Sequence, residues 1–270
     1  MLLEKRIKTQ KTGNNKNVIR EIKMGLQLHQ GGKTMDPLIS IIMATYNRAD
    51  YIQEALDSIK RQTFQDYEII VVDDGSTDNT KEILGKYEGV RCIYLNHVGI
   101  AGARNTAVKA ARGKWIAFCD SDDYWAEDKL QKQMDYLRAH PDCRIVYTKY
   151  KNFTDIPEDQ LDEKQKDLLG TVVNWYLPSA VADVKLFDEI GYFDKAKEPN
   201  DDTDWNFRLK FYNVDMSHCI NEELYLRRVH RSNITNDISN ALRIFSMADM
   251  QKMAIDAYRK VRKARNNLNK

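Results

Sequence analysis

Four short apolar runs between Pro37 and Cys119 each stop abruptly at polar residues, and each is followed by a stretch with helical periodicity. The first, Leu38-Ile39-Ser40-Ile41-Ile42-Met43, precedes a helical pattern from about Ala49 to Arg61, with Ile52, Leu56 and Ile59 on one stripe. Tyr67–Val72 is the second, followed by a helix over 78–87. Val90–Leu95 is the third, followed by a small-residue helix from Ala101 to Arg112 with Gly113 as its C-cap. Lys114–Cys119 is the fourth, followed by a helix over 127–139 that His140-Pro141 stops. Runs of this kind suit strands buried on both faces. Strand–helix repeats of this length make right-handed crossovers and a mostly parallel, Rossmann-like sheet, so the class is α/β. Ligands of such sheets sit at the carboxyl ends of the strands.

Those ends carry the chemistry. The first run leads into Ala44-Thr45-Tyr46-Asn47-Arg48, the second into Asp73-Asp74-Gly75-Ser76-Thr77-Asp78-Asn79-Thr80, and the fourth into Asp120-Ser121-Asp122-Asp123. Clustered carboxylates are costly to bury unless cations or hydrogen-bond donors balance them. Two such clusters on one sheet edge suit a hard divalent ion and a polar ligand. Each cluster taken alone reads equally well as a turn and helix cap, since Ser, Thr and Asp favour those places. Asp78 and Asn79 are assigned to capping. Their joint presence at strand ends favours a site.

Beyond Asp142 the alternation loosens into a mixed second half. A short strand over 144–147 leads to a Lys-rich and acidic loop or exposed helix over 157–166. The segments 175–184, 187–193 and 205–211 follow, and 240–261 forms an amphipathic helix with Met250, Met253, Ala254, Ala257 and Val261 on one face. The expected organisation is a basic arm over 1–36, a catalytic domain over 37–236 divided at 140/141, and a C-terminal helix and basic tail over 237–270.

The runs Ile41-Ile42-Met43-Ala44-Thr45-Tyr46-Asn47, Val71-Val72-Asp73-Asp74-Gly75-Ser76-Thr77-Asp78, Gly99-Ile-Ala-Gly102-Ala103-Arg104-Asn105 and Phe118-Cys119-Asp120-Ser121-Asp122-Asp123 together resemble the family 2 glycosyltransferases of the GT-A fold. The resemblance spans roughly 37–236. It implies an inverting transfer of one sugar from a nucleoside-diphosphate donor, UDP above all, to an acceptor hydroxyl in polysaccharide or glycolipid synthesis. It places the turn Ala44-Thr45-Tyr46 against the nucleobase, Asn47 among the nucleotide-binding residues and Asp74 on a uracil ring nitrogen. Arg104 and Ser121 fall near the nucleotide, and Asp120 at the ribose. Asp122 falls on Mn²⁺ or Mg²⁺, which grips the diphosphate.

Glu198-Pro-Asn-Asp201-Asp202-Thr-Asp204-Trp205 resembles the acidic motif before the family's aromatic helix. Its second acid, the general base, is Asp202. The first is Asp201 where Glu is commoner, which leaves its acceptor contacts open. Asp204 is read as a cap of the helix that follows. His230 resembles the late histidine that closes over the diphosphate, as a second metal ligand or as a structural residue. Arg227, Arg228 and Arg231 either contact phosphate or face solvent. Trp175 either lines an acceptor cleft, since aromatic faces suit sugar rings, or packs in the core as single aromatics commonly do.

Other classes fit less well. Residues 45–48 lack the glycines of a nucleotidyltransferase loop, and Gly99-Ile-Ala-Gly102 is not a dinucleotide fingerprint. A nucleotide-sugar-binding subunit without activity remains an alternative. A net charge of +2 across 270 residues gives no footprint for nucleic acid. Four scattered cysteines without a CxxC pair, and no apolar run near the ~20 residues of a membrane span, point to a reduced cytoplasmic protein. The basic ends are either solvated tails or contacts to an anionic inner membrane face. The C-terminal helix suits a membrane contact or a homodimer equally well. The processive Gln-x-x-Arg-Trp motif is missing, which favours addition of a single sugar.

Overall fold

The computed structural model describes residues 36–230 except Asn174, together with Asn233 and Arg259. The expected basic arm and the amphipathic helix over 240–261 lie outside the described residues.

The first half follows the sequence pattern closely. Strand β1 (Ile39–Thr45) precedes helix α1 (Ile52–Lys60), β2 (Tyr67–Asp73), α2 (Thr80–Leu84), β3 (Val90–Tyr94), α3 (Ile100–Ala110) and β4 (Trp115–Phe118). β1 pairs in parallel with β2 on one side and β4 on the other, and β3 joins β2 in parallel. Ile39, Ile41, Met43, Ile69, Val71 and Ala117 form the core with Ile52, Leu56 and Ile59 of α1. The apolar stripe of that helix is thus what seats it on the sheet.

The second half is mixed. β5 (Tyr124–Trp125), α4 (Lys129–Ala139), β6 (Ile145–Phe153), α5 (Glu163–Leu168), β7 (Gly170–Val172), β8 (Val181–Asp183), α6 (Lys185–Ile190), α7 (Asp201–Phe211) and β9 (Cys219–Arg228) follow in order. The described strands form one sheet ordered β3-β2-β1-β4-β8-β6-β9-β5, with β7 on β6. β8 is antiparallel to both β4 and β6, so a single reversed strand separates β4 from β6, which run in the same direction. β6 is more than twice the length expected from 144–147, because its far end pairs with β7 and, in parallel, with β9.

Two local expectations are corrected. α3 ends at Ala110 with Ala111 as its cap, so Gly113 is no C-cap. A Cβ at Gly113 would lie 2.5 Å from the Ser40 nitrogen and 2.7 Å from the Ile39 carbonyl carbon. The glycine is needed for backbone approach, and its own N–H donates to Ser40 Oγ (2.9 Å). Ser40 in turn donates to Glu68 Oε1 (2.7 Å), whose carboxylate also takes the Arg112 N–H and Nε (2.8 and 3.0 Å). This buried polar knot fastens the amino-terminal ends of β1, β2 and β4. Asp204 is not a cap either. It sits one turn inside α7 and pairs with Arg208 (3.0 Å), which donates to the carbonyls of Ile190, Gly191 and Tyr192. Asp78 does cap α2, accepting from Thr80 N (3.0 Å), while Asn79 makes no side-chain cap bond.

Gly113→Ala should therefore cost roughly 1–3 kcal/mol, the usual range for overpacking. Gly85→Ala, whose Cβ would meet nothing nearer than 3.4 Å, should change stability by about 0.5 kcal/mol or less. Urea unfolding of the two variants tests the contrast, and equal midpoints would contradict it.

Candidate active site

β1, β2 and β4 end side by side, and their loops are laced together before any ligand is considered. Asn47, held at φ +50°, accepts from Thr77 N (2.8 Å), and its own N–H donates to Ser76 Oγ (2.9 Å). Arg48 N donates to Thr80 Oγ1 (2.9 Å). The Ser-Thr-Asp run after β2 thus serves as a brace for the loop after β1. Asp74 is buried and accepts from Val98 N (2.7 Å) and Gly99 N (2.8 Å), which shapes the β3–α3 loop. Tyr46 stands out from this surface, half-exposed, with its ring 4.5 Å from that of His97. Ala44 lies half-buried at the end of β1.

A second group forms at the end of β4. The buried Arg104 guanidinium of α3 reaches Asp120 Oδ1 (3.2 Å) with one arm and Asp201 Oδ2 (3.1 Å) with the other. One cation therefore ties β4 to the N-terminus of α7. Tyr176 donates its hydroxyl to Asp120 Oδ2 (3.1 Å). Asp202 follows on the first turn of α7, half-buried, its Oδ1 accepting from Thr203 N (2.7 Å). Ser121 is buried beside Asp120. Asp122 Oδ2 lies 3.1 Å from His230 Nε2 and 3.2 Å from Arg48 Nε. Arg48 thereby joins the Tyr46–Asn47 loop to the acidic group.

The electrostatics follow from burial opposed by these cations. Burial pushes the Asp122 carboxyl up, but His230 and Arg48 outweigh it and hold the pKa below its ordinary value. Asp120 is raised, because burial and the neighbouring Asp122 and Asp202 exceed the pull of Arg104. Asp123 is raised well above the carboxylate range by burial and by Asp122 and Asp120. Asp201 is pushed up to about 6 by burial, against Arg104 and with help from Asp202. Its Oδ1 is buried with no partner among the described residues.

Among the described residues no three His, Cys, Asp or Glu groups form a cage for a metal ion. Asp122 and His230 offer two donors, and a divalent ion that takes its remaining ligands from a diphosphate needs only one or two from protein. A carboxylate oxygen and an imidazole nitrogen lie side by side there, and both would be available to such an ion once their shared hydrogen is displaced. The pair fits such an ion.

Several residues here escape sequence reasoning. Arg228 neither reaches outward to phosphate nor faces solvent. It is buried, with its guanidinium over the rings of Phe153 (4.7 Å), Tyr51 (5.5 Å) and Tyr124 (5.8 Å) and paired with Glu54 and Asp155. Its Nε donates to the Asp122 carbonyl (3.1 Å) and its N–H to Asp123 Oδ1 (2.7 Å). Tyr51 stacks on His230 (4.4 Å, 25°). Arg228 thus supports both Asp122 and His230 from behind. Arg48 and Asp201 were visible as residue types in motifs, but not as partners, and Tyr176 was not singled out at all.

With this geometry in view, comparison with known proteins is informative. Residues 40–193 match the description of Glycosyl transferase family 2, and the chain belongs to that family. A segment of 119 residues is 43% identical to the UDP-Glc:α-D-GlcNAc-diphosphoundecaprenol β-1,3-glucosyltransferase WfaP of Escherichia coli, covering 43% of this chain and 46% of that protein. The chain therefore spans about half the length of such curated relatives. Among solved structures, the S. aureus TarS fragment 1–349 in complex with UDP-GlcNAc superposes with a TM-score of 0.60 at 22% identity, covering 83% of this chain and 71% of that one. The mannosyltransferase PcManGT from Pyrobaculum calidifontis, in complex with GDP-Man and Mn²⁺, gives 0.56 at 18% identity, covering 92% and 81%. These likenesses establish the α/β fold expected from the strand–helix pattern.

Replacing Arg104 by Met leaves Asp120 and Asp201 buried without their shared cation and should destabilise the fold by roughly 3–5 kcal/mol at pH 8. Asp201 titrates at about 6 in the folded chain, above its ordinary 3.8, so its contribution favours folding below about pH 4 and is lost as pH rises through 6. Removing the cation raises that folded pKa further. The penalty of Arg104→Met should accordingly shrink at pH 5, as measured by urea midpoints at both pH values. A penalty that grows on acidification would contradict this assignment.

Proposed function

We propose that the chain is an inverting glycosyltransferase that moves one sugar from a nucleoside-diphosphate donor, UDP-linked, to the hydroxyl of a saccharide or lipid-linked acceptor. The observation that carries this reading is the Arg104 bridge. It holds the acidic end of β4 against the acidic start of α7, so that a donor-side carboxylate and the helix turn that carries Asp202 lie side by side.

The roles divide by position. Ala44, Tyr46 and Asn47 form the wall against the nucleobase. Asp74 accepts the hydrogen of its ring nitrogen, since each carboxylate oxygen keeps a lone pair beyond its one backbone bond. Asp120 and Ser121 take the ribose, and Arg104 steadies Asp120 while lending positive potential to the phosphates. Asp122 and His230 hold Mn²⁺ or Mg²⁺. A cation bound there offsets the charge that grows on the departing diphosphate. Asp202 accepts the proton of the acceptor hydroxyl, and that oxygen attacks the anomeric carbon from the face opposite the nucleotide. Arg104 contributes indirectly, because its pull on Asp201 and Asp120 limits the repulsion that Asp202 feels.

The relative WfaP is named for a UDP-glucose donor and an undecaprenol-linked diphosphosugar acceptor, and the neighbour structures carry UDP-GlcNAc or GDP-Man with Mn²⁺. These names support a nucleotide-sugar donor and a lipid-linked or glycan acceptor. Among the described residues no helix is long and apolar enough to cross a membrane; the basic composition of the two ends of the sequence supports a peripheral contact with an anionic membrane face. Contact with a second copy through 240–261 belongs to the same reading.

Asp202→Asn should lower transfer by about 10²–10⁴-fold and leave donor binding within about threefold, by calorimetry against UDP-sugars with Mn²⁺. Retained turnover would remove the base assignment. Asp122→Asn should weaken Mn²⁺ binding roughly tenfold or more, read by electron paramagnetic resonance of free Mn²⁺. Wild-type protein that binds donor with Mn²⁺ yet neither transfers nor hydrolyses it would instead identify a binding subunit.

A further inference from the structure

The glycines of Gly99-Ile-Ala-Gly102 are no dinucleotide fingerprint, and the structure gives them another use. Gly99 is the N-cap of α3, held at φ +91°. It has no side chain to accept from the first turn of that helix, and the turn carries no acid of its own. A carboxylate arrives instead from 97 residues further along the chain, where Glu198 Oε1 accepts from Ala101 N (2.9 Å). A negative group there satisfies one of the free N–H groups of α3 and meets the positive end of its dipole. A Cβ on Gly99 would fall 2.5 Å from Glu198 Oε2, and one on Gly102 would fall 2.8 Å from Lys195 Nζ. The two long side chains thus lie directly over the two glycines. Lys195 Nζ also donates to the Val98 carbonyl (3.0 Å).

The same stretch of backbone is gripped from its other flank. Asp74 accepts from Val98 N with one oxygen and from Gly99 N with the other. Residues 98–101 are therefore clamped between Asp74 and the segment 195–198. That segment is itself anchored at both ends. Asn105 of α3 exchanges two hydrogen bonds with the backbone of Phe193, both 2.9 Å, and Arg104 holds Asp201, three residues past Glu198. The strap between these anchors runs straight into the first turn of α7.

We propose that Glu198 is a positioning residue for donor selection. By capping α3 it fixes the Val98 and Gly99 N–H groups, and through them the angle at which the Asp74 carboxylate meets the uracil ring nitrogen. The inference rests on the reading of Asp74 as the partner of that nitrogen, and adds a residue from the second half of the chain that governs the contact. The reason is directional. A buried carboxylate bonded by one N–H at each oxygen has its plane set by those donors, and a hydrogen bond weakens steeply as it bends. Gly99 has no Cβ to confine its own backbone, so two successive N–H groups stay aimed at one carboxylate only while outside contacts hold the loop. Glu198 is exposed, so its truncation releases the loop and leaves the core intact.

Calorimetry on the full chain with Mn²⁺ compares UDP with UDP methylated at the ring nitrogen, which has no hydrogen to give Asp74. Wild type should prefer UDP by about tenfold or more, in line with a hydrogen bond to a charged group. Glu198→Ala should cut that preference about threefold or more. Glu198→Gln keeps an oxygen of the same reach for Ala101 N and should keep the preference within about twofold of wild type. A merely structural loss weakens both nucleotides alike and leaves their ratio where it was. An unchanged ratio in Glu198→Ala, or an equal fall in Glu198→Gln, would overturn the proposal. A wild-type ratio near one would remove the Asp74 contact and the role of Glu198 with it, whereas a wild-type preference that survives Glu198→Ala removes Glu198 alone.

Discussion

Arg104 sits between two carboxylates that neither half of the fold could bury alone. Asp120 comes from the strand end that sequence logic assigns to the donor, and Asp201 from the helix that carries the proposed base. Burying either one uncompensated carries a penalty of several kcal/mol, and the shared guanidinium removes most of that cost. The arrangement makes the two halves interdependent. The donor-side acids cannot be held close without α7, and α7 cannot begin where it does without a cation from α3. Arg48 and Arg228, with the His230 ring nitrogen, play the same part around Asp122 and Asp123. The acidic pocket is stable because cations approach it from behind and from the side.

This charge balance explains what could and could not be read from the chain. β1, β2 and β4 were visible because a strand buried on both faces must be nearly continuously apolar, and Ile39-Ser-Ile-Ile-Met meets that demand with only Ser40 as an exception, whereas β3 is a half-exposed edge strand. Ser40 is tolerated through its bonds to Glu68 and Gly113, a pairing 28 and 73 residues distant that no local pattern announces. Gly113 looked like a helix cap, since caps and close approaches call for the same residue. Asp204 looked like a cap for a similar reason, until Arg208, one turn on, proved to be its partner. The long β6 was underestimated because its outer part, Lys149–Phe153, alternates in burial and owes its conformation to β7 and β9.

The site shows the same division. Residues in the first half, such as Asp74, Asp120 and Asp122, were singled out because strand ends in a parallel sheet converge by topology. Tyr51 could not be singled out, and Arg228 was placed only as a phosphate contact or a solvated side chain. Arg-Arg-Val-His is equally consistent with a solvated turn, and only the packing of Phe153, Tyr51 and Tyr124 about the guanidinium gives Arg228 its place. Asp201 was noticed as a departure from Glu. The shorter side chain accords with its position, because a buried acid 3.1 Å from Arg104 at the start of a helix leaves little room for another methylene.

Asp201 and Asp202 also illustrate how neighbours in sequence acquire different chemistry. Both lie on the first turn of α7, where the helix dipole favours negative charge. Asp201 points into the protein, fully buried, and its proton affinity rises toward neutrality despite Arg104. Asp202 faces the half-open side, with Thr203 as its immediate hydrogen-bond donor. The buried residue, through Arg104, fixes where α7 starts and therefore where Asp202, the base of the proposed reaction, stands.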